Sequence, residues 1–218
     1  MHRARTAALA ALAVLAAPAC ARTTTGIGAP PAHADPTTTP SSPSSSVFPS
    51  EKIDTLLLSL DEVNKGLPPL DHPFVTQDPV RKQPDDLQIA GSTACGTPVT
   101  VGTQDAVGNG WSSYRSELYV GEQNTMVELV LAVYPDGPAV ERAFERIAEA
   151  ARACKPNAEL AVESSTDGAV RWHSTAGWGA ETRHVNNVLV QVKAADTGKD
   201  DSVAHAISEL VIKKIQER

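Results

Sequence analysis

The sequence predicts an α+β fold, an antiparallel β-sheet with helices packed mainly on one face. Three observations lead there. Residues 125–134 form an almost wholly apolar, β-branched run of the kind an interior strand needs. After the breaker Pro135-Asp136-Gly137-Pro138 the period turns helical, with Val140, Ala143, Phe144, Ile147, Ala151 and Cys154 in one stripe. Short alternating runs flank this strand–helix pair, and an amphipathic helix closes the chain.

The chain opens on an export signal. His2, Arg3 and Arg5 make a basic start, and residues 7–17 are an eleven-residue apolar run. That run is shorter than the about 20 residues that span a bilayer. Ala17-Pro18-Ala19 puts small residues directly before Cys20. Residues 1–19 therefore read as a lipoprotein-type signal peptide, with Cys20 as the acylated, palmitate-bearing N-terminus of the mature chain. Ala32-His33-Ala34 is a second cleavage candidate, and cutting there would release a secreted protein without Cys20. Loss of residues 1–19 leaves 17 Lys+Arg against 26 Asp+Glu, a net charge of −9. Such a balance argues against nucleic acid and against charge-driven binding to an anionic membrane.

Residues 20–50 read as a disordered linker. Six Thr, six Ser and six Pro fill 18 of the 28 positions from 23 to 50, too polar to repay the entropy of ordering. As a coil this segment would reach roughly 30 Å, and as polyproline II up to about 90 Å. Residues 51–218 are left as one domain of ordinary size.

Ile53, Leu56, Leu57 and Leu60 mark a first short helix. Ser59 and Glu62 form a capping box for a second, with Leu58 and Val63 as hydrophobic staple and Gly66 at its end. Prolines from Pro68 to Pro84 exclude long elements there, and residues 105–110 read as loop. Residues 114–120 alternate as a strand before the central one. On the solvent face of the central helix, Arg142/Glu145, Arg146/Glu149 and Glu149/Arg152 stand at i,i+3 spacing. Lys155-Pro156 ends that helix. Three further strand segments follow at 160–162, 169–173 and a hairpin, 182–185 against 188–192, whose Asn186-Asn187 turn suits positive φ. Asp200-Asp201-Ser202 opens the last helix, with Val203, Ile207, Leu210 and Val211 inward.

Residues 56–64, the strand-to-helix stretch from Tyr134-Pro135-Asp136 through Ala143-Phe144 to Ala153-Cys154, and the hairpin Asn186 to Val192 together resemble the PknH-like extracellular domain. That family supplies the ligand-sensing part of actinobacterial receptor kinases and also occurs alone on lipoproteins. The resemblance covers residues 51–218 and implies an antiparallel sheet with helices, a ligand cleft, disulfide bonds and no catalytic residues. Where the kinase form has two disulfides, only Cys95 and Cys154 stand in this domain. Export places both in an oxidising compartment, so a Cys95–Cys154 bond is expected.

No Gly-x-Ser-x-Gly, His-Glu-x-x-His or Cys-x-x-Cys occurs, and no cofactor or metal is implied. Trp172 reads as core, whereas Trp111 and Trp178 stand in glycine-rich loops that suit either a lid over the core or a ligand contact. With both long helices on one face, alternation sends Arg171, His173, Gln191 and Lys193, with Glu128, to the other. Walled by Trp111 and Trp178, that face is the expected cleft for a small polar or envelope-derived ligand. The expected protein is a non-enzymatic, sensor-like lipoprotein on the extracytoplasmic face of the cell membrane, working with a membrane signalling protein. The competing readings are a cell-envelope enzyme with an unconventional site and a structural envelope protein.

The disulfide reading has a direct test. Closing a loop of about 60 residues is worth roughly 4 kcal/mol in the chain-entropy view. Unfolded, unreduced protein should resist alkylation at Cys95 and Cys154. Labelling of both thiols would exclude the bond.

Overall fold

The computed structural model of the chain describes residues 47–70, 72–85, 101–153, 160–164, 168–174 and 177–218, all within the unit Pro43–Arg218. Cys20, Cys95, Cys154, Lys155-Pro156, the expected signal peptide and the linker as far as residue 46 lie outside the described residues.

Phe48 is buried and Ser50–Leu56 is a 3-10 helix, so folded structure begins a little before the expected boundary at residue 51. The capping box forms as read. Ser59 N–H donates to the Glu62 carboxylate at 2.7 Å, and Glu62 N–H donates to Ser59 Oγ at 3.3 Å, starting α1 (Leu60–Gly66). Lys214 Nζ also reaches Glu62, at 2.8 Å, and these donors hold the Glu62 carboxyl down to about 2. A four-residue strand, β1 (Phe74–Gln77), stands between Pro73 and Pro79, in a stretch where the proline content predicts no long element. One turn of helix, α2 (Gln104–Val107), replaces the first part of the loop expected over 105–110, because Thr103 Oγ1 accepts from Ala106 N–H at 3.2 Å and caps it.

β2 (Ser113–Gly121), β3 (Met126–Val133), α3 (Gly137–Ala153), β4 (Leu160–Ser164), β5 (Ala169–Ser174), β6 (Trp178–Val185), β7 (Val188–Ala195) and α4 (Asp200–Gln216) complete the chain. The seven strands form one sheet in the order β1-β2-β3-β7-β6-β5-β4, each antiparallel to its neighbours. Trp178 is the first residue of β6 and not part of a loop.

The helices do not share a face, contrary to expectation. Val127, Leu129, Leu131 and Val133 of β3 and Val188, Val190, Val192 and Ala194 of β7 pack with Val203, Ala204, Ile207 and Val211 of α4. Val130 and Ala132 of β3, Leu189 of β7 and Val170 and Trp172 of β5 pack instead with Val140, Phe144, Ile147 and Ala151 of α3. β3 is apolar on both sides over most of its length, and neither side can be left to water. A helix therefore covers each face. Trp172 is core, as its place in a strand suggested.

The solvent side of α3 also departs from expectation. Among the described residues, none of the three i,i+3 pairs forms. Arg152 instead contacts Glu145 at 3.5 Å, and Arg146 Nη2 donates to the Ala106 carbonyl at 3.2 Å. Gly179 sets how closely α4 approaches. A Cβ there would stand 2.9 Å from Asp201 N, so the first turn of α4 rests directly on the β6 backbone. At the edge of the sheet, the Asn64 side chain accepts from Phe74 N–H at 3.0 Å and donates to Phe74 C=O at 2.8 Å.

The β6–β7 turn is held differently from a symmetrical type I′ turn. Asn186 takes φ +55°, and Asn187 is not among the positive-φ residues. The buried side chain of Asn187 serves as a clamp. Its Oδ1 accepts from Phe48 N–H at 2.6 Å, and its Nδ2 donates to Phe48 C=O at 3.1 Å and to Tyr134 C=O at 2.6 Å. One amide thus joins the N-terminal segment, the end of β3 and the β6–β7 turn. Asn187→Ala leaves three backbone groups without a partner and should cost about 3 kcal/mol. Urea unfolding should show a lower midpoint at unchanged slope. An unshifted midpoint would mean that the clamp holds nothing.

Candidate functional site

The register divides the six residues expected to line one cleft. In β5–β6 pairing Arg171 stands opposite Glu181 and His173 opposite Gly179, and Glu181 in turn faces Val192 of β7. Arg171 and His173 are therefore on the α4 side. Glu128 pairs with Lys193, and Val130 with Gln191, which puts Glu128, Gln191 and Lys193 on the α3 side. Trp111 and Trp178 pack against the α3-side core. The expected grouping of Arg171 and His173 with Gln191 fails because it put the odd-numbered residues of β5 and β7 on one face, whereas the register through β6 sets them on opposite faces.

On the α4 side, Arg171 and His173 belong to a row of ionic contacts between helix and sheet. The Glu181 carboxylate is 1% exposed. Arg171 Nε lies 2.6 Å from it, His205 Nδ1 3.0 Å and Arg183 Nη1 3.6 Å, and Arg183 also meets Glu209. His173 Nδ1 stands 3.8 Å from Asp201 of α4. A carboxylate so deeply buried needs such company, and its partners come from β5, β6 and α4. Sequence reasoning missed Glu181. The signal that could have found it was a carboxylate in the same alternating row as Val190 and Val192 once the hairpin register is set. This row ties α4 to the sheet.

The α3 side is organised differently. Toward the end of the sheet remote from the Asn186-Asn187 turn, Leu118, Met126, Glu128, Trp178 and Lys193 are only partly buried. At the same level on the α4 side, Tyr119, Val127, Leu129 and Ala194 are sealed at 0% exposure. Among the described residues, this end of the α3 side is therefore the less completely sealed one, a mixed polar and apolar floor. Under it lie buried polar groups. Gln191 accepts from Gly102 N–H at 3.4 Å and donates to Thr182 Oγ1 at 3.3 Å. Gly102 takes φ +77°, and a Cβ there would lie 2.8 Å from a Glu128 oxygen, so the backbone passes directly over that carboxyl. Tyr114 donates to Gly102 C=O at 3.2 Å, and Trp111 tilts against the Tyr114 ring at 5.8 Å between centroids. Glu128 and Lys193 are paired across strands but form no salt bridge. Ser116 Oγ donates to Glu128 at 3.1 Å, and the Lys193 ammonium lies 5.2 Å over the Trp178 ring.

Burial raises the Glu128 carboxyl above the usual carboxylate range. What the floor offers chemically is hydrogen bonding, a ring face and one ammonium. Because folding raises this acid above its ordinary 4.5, the native state holds its proton longer than the unfolded chain does. The contribution is favourable below the unfolded value and is lost as pH rises through the folded one. Glu128→Gln should therefore gain stability relative to the parent as pH climbs from about 4 toward 7. Denaturant unfolding at both ends of that range checks it. A difference that stays constant with pH would show that Glu128 does not titrate differently on folding.

Comparison with known proteins agrees with the geometry of the sheet. The extracellular domain of PknH from Mycobacterium tuberculosis, a crystal structure, superposes with a TM-score of 0.65, covering 79% of this chain and 99% of that one at 15% sequence identity. At that identity the likeness is one of fold. No curated protein matches. The family model of the PknH-like extracellular domain matches residues 48–214, nearly the whole folded region. The chain belongs to the PknH-like extracellular domain family.

Proposed function

We propose that this chain is an extracytoplasmic, lipid-tethered sensor-like domain that binds a small polar or envelope-derived ligand without turning it over and reports to a membrane signalling protein. The observation that carries the reading is the family match over residues 48–214. The export signal, Cys20 and the Ser/Thr/Pro-rich segment behind it support a tether on the outer side of the membrane. Among the described residues no helix is long and apolar enough to cross a membrane. The ligand would lie on the α3-side floor, against Glu128, Lys193 and Trp178, above the buried Gln191 side chain and with Trp111 at its margin. Arg171 and His173 have no part in it, since their contacts serve α4.

Membrane fractionation and ligand titration test the two halves separately. The parent chain should sediment with membranes, and Cys20→Ser should release it or block its processing. A mature N-terminus at Asp35 would make the protein secreted. Native mass spectrometry of purified protein should find a co-purifying small molecule. Readdition of that compound should shift the amide resonances of Glu128, Gln191 and Trp178. Trp178→Ala should weaken it about tenfold, as truncation of a buried aromatic contact does. Arg171→Gln should leave affinity unchanged. Turnover of envelope material that disappears in Glu128→Gln would replace the binding reading with an enzymatic one.

A further inference from the structure

Away from the sheet floor, a cleft of about 390 Å³ opens between α3 and the loop before β2. Asn109 and Gly110 line one wall, and Arg142 and Arg146, one helical turn apart, line the other. The sequence gives both arginines nearby carboxylates on the helix, yet among the described residues neither guanidinium has a carboxylate partner. Glu145, three residues from Arg142, is taken up by Arg152. Arg146 spends one N–H on the Ala106 carbonyl, at 3.2 Å. Its guanidinium can lie there because residue 108 is glycine. A Cβ at Gly108 would stand 2.3 Å from Arg146 Nη2, and the backbone holds φ +68°. Asn109 is fixed by its acceptor, since Gln104 Nε2 donates to Oδ1 at 2.8 Å and leaves Nδ2 to donate elsewhere.

We propose that this cleft binds a compact phosphate-bearing group, held by the two guanidiniums and the Asn109 amide. Planar, always-charged donors in pairs suit a phosphate oxyanion better than they suit a neutral sugar. The cleft volume admits a phosphate monoester but not an extended polymer. Asp136 stands on the rim, and its Oδ1 already accepts from Ala139 N–H at 2.8 Å. The helix N-terminus is therefore capped by the protein's own carboxylate, and the site rests on the arginines and the loop. It is independent of the sheet floor.

The test is an amide-resonance titration of the full chain with inorganic phosphate and with glycerol phosphate, using glycerol as the neutral control. Saturable shifts at Asn109, Gly110 and the first turns of α3 are expected from both phosphates and none from glycerol. Arg142 is exposed and makes no contact that the fold needs, so Arg142→Gln should weaken binding about tenfold while the protein stays folded. Asn109→Asp should abolish it by charge, and Lys193→Met on the sheet floor should change nothing. Should neither free compound act while phosphatidylglycerol vesicles move the same resonances, the phosphate is that of a lipid headgroup. Shifts that fail to saturate, that spread over exposed lysines and arginines, or that survive Arg142→Gln mean an adventitious ion only and overturn the proposal. So does equal binding of glycerol.

Discussion

The β3–β7 pairing is the constraint from which the rest of the fold follows. It runs unbroken from Met126 opposite Ala195 to Val133 opposite Val188. Eight of the side chains in these two strands point at α4 and are fully sealed. Val130, Ala132 and Leu189 point the other way and are as fully buried. Two adjacent strands that are apolar on both sides cannot lie at a sheet edge or under a single layer. They require strands on either flank and a helix on each face, and the chain supplies both.

The two layers over this centre differ in completeness. On the α4 side, α1 and the Ser50–Leu56 helix join α4, and ionic contacts at Glu181 and Glu62 fasten helix to neighbours. Each is a half-exposed or buried contact whose strength comes from geometry more than from charge count. On the α3 side, among the described residues, α3 and α2 cover only part of the sheet, and the remainder carries the partly buried Glu128, Lys193 and Trp178. A face that need not be perfectly sealed can hold a polar group whose protonation is out of the ordinary. Sites for binding arise more readily there than where packing admits no variation.

The stripes of α3 and α4, the capping box and the apolar β3 were legible because each is set by residues close in sequence. What escaped was the side of the sheet on which each stripe lands. Helical period defines a buried face of the helix, and nothing in Val140, Phe144 and Ile147 says which side of β3 they will meet. That choice is made by long-range register. Arg171 meets Glu181, and Glu181 meets Val192, so a two-strand chain of pairings decides that His173 and Gln191 never share a surface. Glu128 stood out in the sequence because a polar residue inside an apolar strand is conspicuous, and alternation along β7 correctly put Gln191 on the same face. Glu181 did not stand out, since its strand reads as mixed. The i,i+3 charge pairs on α3 failed for another reason. Arg146 had the Ala106 carbonyl of α2 within reach, and local spacing carries no information about that.

Asn64 bears on how copies of this domain behave when they are crowded together. A β-sheet ends in strands whose outward N–H and C=O groups are free to recruit a strand from another molecule. At Phe74 both of those groups already belong to the Asn64 side chain, which mimics the backbone of a neighbouring strand. The prolines at 73 and 79 add positions with no N–H to offer. At that point the border of the sheet offers no free pair of backbone groups, which opposes the pairing of crowded copies along β1.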